Sequence, residues 1–114
     1  MKIEKSSNIA KSPVEGEGAK DVEIRWLLTK DDGADNFAMR IFEIKPGGHT
    51  PLHVHRHEHE VFVVEGEGVF VYEGREYEFG RDYVIFVPGN TEHQFKNTGN
   101  SILRFLCLIP AAAV

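Results

Sequence analysis

The chain predicts an all-β fold, an antiparallel sandwich or barrel, and three observations carry that expectation. Apolar residues almost never recur at helical spacing along its 114 residues. Short runs rich in Val, Ile, Phe, Tyr and Thr recur instead, in the lengths strands favour. Between them stand Gly, Pro, Asn and Asp, which supply positive φ, a fixed φ or local backbone hydrogen bonds, and so make turns. Many short strands at this spacing pack as a sandwich or close as a barrel.

Taken in order, the first twenty residues are polar and lack a period, and Glu15-Gly16-Glu17-Gly18 reads as a flexible joint. Residues 1–20 are therefore expected to be an N-terminal arm or edge strand, either pairing with a neighbouring subunit or fraying. The domain proper is expected over 21–114. Its strands are predicted at 22–29, 37–44, 53–65, 69–72, 76–79, 83–87, 92–96 and 102–109. The breaks are Asp31-Asp32-Gly33, Lys45-Pro46-Gly47-Gly48, Glu65-Gly66-Glu67-Gly68, Glu73-Gly74, Pro88-Gly89-Asn90 and Asn97-Thr98-Gly99-Asn100. In the last strand Arg104 should face out, which turns Leu103, Phe105, Cys107 and Ile109 inward. Leu106 and Leu108 then face outward, either to join two subunits or to fill the second face of a sandwich.

Composition removes several function classes. A chain of this length makes one domain, burying roughly 65% of its unfolded surface. With a formal net charge of −5 and no Lys/Arg block, it carries no nucleic-acid footprint. The single cysteine, Cys107, allows no internal disulfide and fits a reducing compartment. Met1-Lys2-Ile3-Glu4-Lys5-Ser6 lacks the apolar stretch of a signal peptide, and no run approaches membrane-spanning length. A cytoplasmic protein with no membrane partner is the expectation.

The chemistry sits in the histidines. All six fall between positions 49 and 93, and four are packed into His53-Val54-His55-Arg56-His57-Glu58-His59-Glu60. If that segment is extended, His53, His55, His57 and His59 share one face, with Val54, Arg56, Glu58 and Glu60 on the other. Several imidazoles on an inward face are costly unless a metal or hydrogen bonds satisfy them. Neutral nitrogen donors of this kind suit divalent transition metals. His93 supplies a further donor from a second strand. His49, in the Pro-Gly-Gly turn, reads as a loop residue. His57 has two readings: a spare histidine, or an acid/base group at the mouth of the site. Arg40 reads more readily as a surface ion pair than as a partner for a substrate carboxylate.

These residues also carry a family resemblance. Gly47, five residues, His53-Val54-His55, three residues, His59, six residues and Gly66 resemble the first cupin motif, in which a glutamate follows two histidines. Pro88, four residues, His93, three residues and Asn97 resemble the second. Counting back from Gly66 places His59 at the motif's glutamate position, with Glu60 the alternative under looser spacing. The second motif's glycine falls at Asn90, whose side-chain type tolerates a left-handed backbone. Six places before Pro88 stands Asp82 where that motif carries a glycine, with Gly80 two residues earlier, an offset read as a one-residue bulge. The resemblance implies a jelly-roll β-barrel of the four-histidine cupin subset, with His53, His55, His59 and His93 as metal ligands. It implies one divalent transition metal per chain, manganese or iron first, with nickel, zinc or copper possible. Phe95, Phe105 and Cys107 are expected to wall the substrate pocket.

Four neutral ligands leave the ion's charge uncompensated, so an anionic or enolic small-molecule substrate is expected. The leading expectation is a dioxygenase-like oxidoreductase acting on an oxygen-chelating substrate. The alternatives are a non-redox isomerase or decarboxylase, with His57 or Glu60 shuttling protons, and a non-catalytic binding or sensing module. A homodimer is expected, since cupin barrels commonly pair. Because ligating imidazoles must be unprotonated, metal should leave as the pH falls below roughly 6.

Overall fold

The computed structural model describes residues 1–114 as nine strands with three short 3-10 turns. The strands are β1 (Lys11–Pro13), β2 (Lys20–Leu28), β3 (Phe37–His49), β4 (His59–Glu65), β5 (Gly68–Tyr72), β6 (Arg75–Phe79), β7 (Val84–Val87), β8 (His93–Asn97) and β9 (Leu103–Pro110). All pair antiparallel in one curled sheet ordered β6-β5-β8-β3-β9-β4-β7, with β2 also on β3 and β1 on β2. The all-β expectation holds. No helix is long and apolar enough to cross a membrane.

Alternation explains most of the strands. On β9 every second residue from Leu103 to Ile109 is buried, and Arg104 turns outward to pair with Glu43 and Glu65. Phe105 stacks between Phe42 and Phe95, with ring centroids 5.3 and 4.6 Å away. Val61 and Val63 bring the inner face of β4 onto the same core, with Phe70, Phe79 and Val87. The two sides of the barrel thus meet over an apolar, partly aromatic interior whose burial drives closure.

Three local features differ from the sequence reading. Residues 53–58 are not a strand: β4 starts at His59, and His53 makes only an isolated bridge to His93. The segment is pinned outside the ladder instead. His53 and His93 exchange backbone hydrogen bonds of 3.2 and 3.1 Å, and the Asn90 N–H donates to the His55 carbonyl at 2.7 Å. His49 closes β3 rather than lying in a loop. Asp82 takes φ +70° and donates its N–H to the Val63 carbonyl, so the motif's glycine is replaced by an aspartate that accepts the left-handed backbone. Lys11–Pro13 forms an edge strand against β2 of the same chain.

Two glycines hold close approaches. Gly66 has φ +89°, and a Cβ there would lie 2.6 Å from the Ile102 carbonyl oxygen. Gly89 packs on the histidine-rich loop, where a Cβ would meet the Arg56 carbonyl oxygen at 2.2 Å. Asn90, at φ +62°, completes that turn.

Candidate metal centre

β4, β8 and the pinned 53–58 segment bring five imidazoles together at one end of the barrel interior. The donor nitrogens of His53, His55 and His93 all lie within 4.8 Å of one another, and so do those of His55, His57 and His59. His55 therefore belongs to both groups. Its Nε2 stands 2.9 Å from His59 Nε2. Its ring centroid lies 4.7 Å from that of His53 and 4.8 Å from that of His93. His59 and His93 are buried, while Glu60 projects from the opposite face of β4 into solvent. His49 lies apart, its Nδ1 against the Thr50 carbonyl and the Gln94 amide.

The hydrogen bonds on the far side of each ring decide which nitrogen faces the cluster. His55 Nδ1 lies 3.3 Å from the His57 carbonyl and His93 Nδ1 3.0 Å from the Thr91 carbonyl. A carbonyl only accepts, so both Nδ1 atoms carry the proton and both Nε2 lone pairs point at the cluster. This is the arrangement by which a metal-ligating histidine is oriented.

His59 differs. Its Nδ1 lies 3.0 Å from Cys107 Sγ and 3.0 Å from Arg40 Nη2. Without an ion, His59 Nε2–H donates to His55 Nε2, and Nδ1 receives the Arg40 N–H. Were both Nε2 atoms to hold one ion, Nδ1 would carry the proton and donate to Cys107 Sγ, which Arg40 Nη2 also reaches at 3.0 Å. Two nitrogen donors to one ion must lie within a few ångströms of each other. The observed spacing of His55 and His59 fits that requirement, so the donor set suits a divalent transition metal.

Burial lowers the basicity of the cluster. Desolvation first, then the charges of His55, His93, His57 and Arg40, bring His53 down to about 4. Desolvation followed by Arg40 brings His59 down to about 2. His55, His57 and His93 are lowered too, with desolvation the largest cause in each. All five are therefore neutral donors near pH 7. Burial raises the Cys107 thiol against the opposing pull of Arg40, which keeps it protonated.

A cavity of about 660 Å³ opens over the cluster. His53, His55, His57, His59 and His93 line it together with Phe95, Phe105 and Cys107, as do Trp26, Arg40 and Phe42. His57 stacks on His55 with centroids 4.0 Å apart and planes 3° from parallel. The sequence reading favoured a surface ion pair for Arg40, but the residue is 8% exposed and makes no ion pair. The signal was present: Ala38, Arg40, Phe42 and Ile44 alternate along β3, and an inward Ala38 and Ile44 require an inward Arg40.

A curled antiparallel barrel with histidines at one end of its interior defines a class, and sequence comparison agrees. Residues 40–109 match the cupin domain family, and the chain belongs to that family. Among solved structures it is similar to the polyketide cyclase RemF from Streptomyces resistomycificus, 36% identical with a TM-score of 0.91 over 97% of this chain and 80% of that one. It is 34% identical to an oxalate-binding protein of Thermotoga maritima over 81% of this chain and 78% of the relative. A 1-methylthio-D-xylulose 5-phosphate methylsulfurylase of Rhodospirillum rubrum is 36% identical over 64% of this chain, which spans about half of that longer protein (47%).

Proposed function

We propose that this cupin binds one divalent transition metal through His53, His55, His59 and His93, and with it captures a small organic molecule offering adjacent oxygen donors. The observation that supports the reading is the packing of five neutral imidazoles, in two triads that share His55, along one cavity. A bound ion would supply Lewis acidity there, polarising a carbonyl or stabilising an enolate oxygen. Manganese and iron are the first choices for the ion, with nickel, zinc or copper as alternatives.

The chain's own residues then have defined parts. The Thr91 and His57 carbonyls fix the ring orientations of His93 and His55, and Cys107 serves His59 in the same way. Phe95 and Phe105 exclude water from the inner wall. His57, neutral, half-buried and stacked on His55, is the group placed to take or return a substrate proton.

Non-oxidative chemistry is the favoured form. A polyketide and oxalate, named for two of the well-covered relatives, both carry oxygens spaced so that they could chelate one metal ion. The oxygenase expectation has no comparable support. Elemental analysis of protein purified without added metal, followed by calorimetric titration of the zinc- and manganese-loaded forms with oxalate and with acetylacetone, tests the reading. Chelator binding supported by zinc without oxygen is expected. Binding or turnover that requires iron and consumes oxygen would replace it with the oxygenase; no metal uptake would end it.

The expected homodimer has a candidate surface. Phe62, Val84 and Phe86 are exposed beside Met39, Leu106 and Leu108 on the outer face of β3, β4, β7 and β9. An apolar strip of this kind suits burial against a second copy. Sedimentation of the wild type and of Phe86→Asp tests it, with a dimer expected only for the former.

A further inference from the structure

The cluster's least explained neighbour is Arg40. It sits on β3 opposite Cys107 of β9, and its side chain turns into the barrel. No carboxylate lies within 4.0 Å of it: the chain's ion pairs involve Lys2, Lys11, Arg25, Arg81 and Arg104 only. Glu15 and Glu17, the acidic residues at the cavity rim, make no ion pair with it. Nη2 reaches Cys107 Sγ and His59 Nδ1, both uncharged groups, and Nε is buried with no acceptor at all. A buried cation without a counter-ion costs several kcal/mol.

The rest of the surroundings hold the guanidinium in place without neutralising it. Its Cζ lies 4.9 Å from the Phe42 ring centroid and 5.5 Å from that of Trp26, within cation–π range. The group is therefore oriented by two aromatic faces, lines the same cavity as the histidines and lacks a negative partner. Proteins arrange guanidinium groups in this way to receive a carboxylate or a similar planar oxyanion.

We propose that Arg40 is the anion-binding residue of the cavity, receiving a carboxylate or enolate oxygen of the ligand whose other oxygens reach the histidine cluster. The inference rests on the cavity being the ligand site proposed above. It narrows the ligand class to compact organic anions with an unsaturated body that can lie against Trp26 and Phe42. A neutral metal ligand, by contrast, gains nothing from Arg40.

Trp26 makes the proposal readable without any metal, because it is the chain's one tryptophan and flanks the guanidinium. Oxalate is titrated into metal-free protein, following Trp26 emission, and into zinc-loaded protein by calorimetry, with imidazole as the neutral control. The wild type, Arg40→Lys and Arg40→Gln are compared. Arg40→Gln is expected to abolish the emission change and to weaken oxalate binding to the zinc form by about thirtyfold or more. Arg40→Lys should fall between; because Arg40 also stands behind the His59 ring, each variant is titrated at wild-type zinc occupancy, confirmed by elemental analysis, with imidazole as the neutral reference. Arg40→Gln should also melt no lower than the wild type, since it removes an unpaired buried charge. Unchanged oxalate binding in zinc-replete Arg40→Gln would overturn the inference and leave the metal-site reading standing. Loss of zinc from the wild type itself would instead overturn the reading beneath it.

Discussion

His55 Nε2 and His59 Nε2 stand 2.9 Å apart although one residue lies in an irregular segment and the other opens β4. The contact spans the end of the strand. It is set by anchors on both sides, the Asn90 N–H on the His55 carbonyl and the Cys107–Arg40 pair behind the His59 ring. Removing a ring from this cluster should therefore affect metal uptake far more than removing an outlying histidine. His93→Ala and His59→Ala are expected to lose most bound metal, and His49→Ala to retain it, by elemental analysis after dialysis. Equal losses from His49→Ala and His93→Ala would refute the assignment.

The acid side of the stability profile follows from the lowered basicities. A histidine whose folded value lies below its unfolded value favours the neutral form in the fold, so the unfolded chain binds more protons in between. That contribution is complete above the unfolded value of about 6.5 and is lost as the pH falls toward the folded values. For His53 the loss continues down to about 4. Melting temperatures of the metal-free protein should drop steadily through that window. The same burial moves metal release below the pH of roughly 6 that free imidazole would suggest. Metal content should survive dialysis at a lower pH than free imidazole would allow; complete release at pH 6 would contradict the effect of burial.

Much of the site was legible before the structure. Alternation on β9 gave Phe105 and Cys107 their inward direction, and the histidine-rich segment with His93 marked out the two triads that share His55. Strand parity did not predict the path of 53–58, because that segment is held by single contacts to His93 and Asn90, far along the chain, and not by a continuous ladder. It nevertheless keeps His55, His57 and His59 more buried than the residues between them. Arg40 was misjudged for a different reason. A charged side chain argues for the surface by type, and only its register with Ala38 and Ile44 argues otherwise. Asp82 shows the same limit: a positive φ can be carried by a residue whose type does not announce it.

Gly89 couples the turn before β8 to the histidine loop. A Cβ at that position would lie 2.2 Å from the Arg56 carbonyl oxygen, so Gly89→Ala must push the loop away from the barrel end. The core beneath is untouched by this shift. Gly89→Ala is expected to weaken metal affinity by about tenfold or more, as loss of ligand orientation does elsewhere. Gly33→Ala is the control: it has positive φ but open space around its Cβ, and the cavity it borders holds no histidine. It should cost stability without changing metal affinity. Metal titration with a competing chelator separates the two, and identical affinities would show that the loop is not held through Gly89.

Phe105 ties the pocket wall to the core. It is 1% exposed and stacks on both Phe42 and Phe95, so its ring fills the space between β3, β8 and β9 directly beneath the cavity. Truncation leaves a void that the surrounding strands cannot close, because each is fixed by its ladder. Phe105→Ala should therefore lower unfolding free energy by about 3–5 kcal/mol. Phe105→Leu retains much of the volume and should cost less. Of the cluster, only His93 is carried by one of these strands, so Phe105→Leu should keep its metal while Phe105→Ala loosens it in proportion to the lost stability. Denaturant unfolding of both variants with and without zinc measures the two effects together. A Phe105→Ala protein as stable as the wild type would mean that the ring is not the support that its stacking makes it.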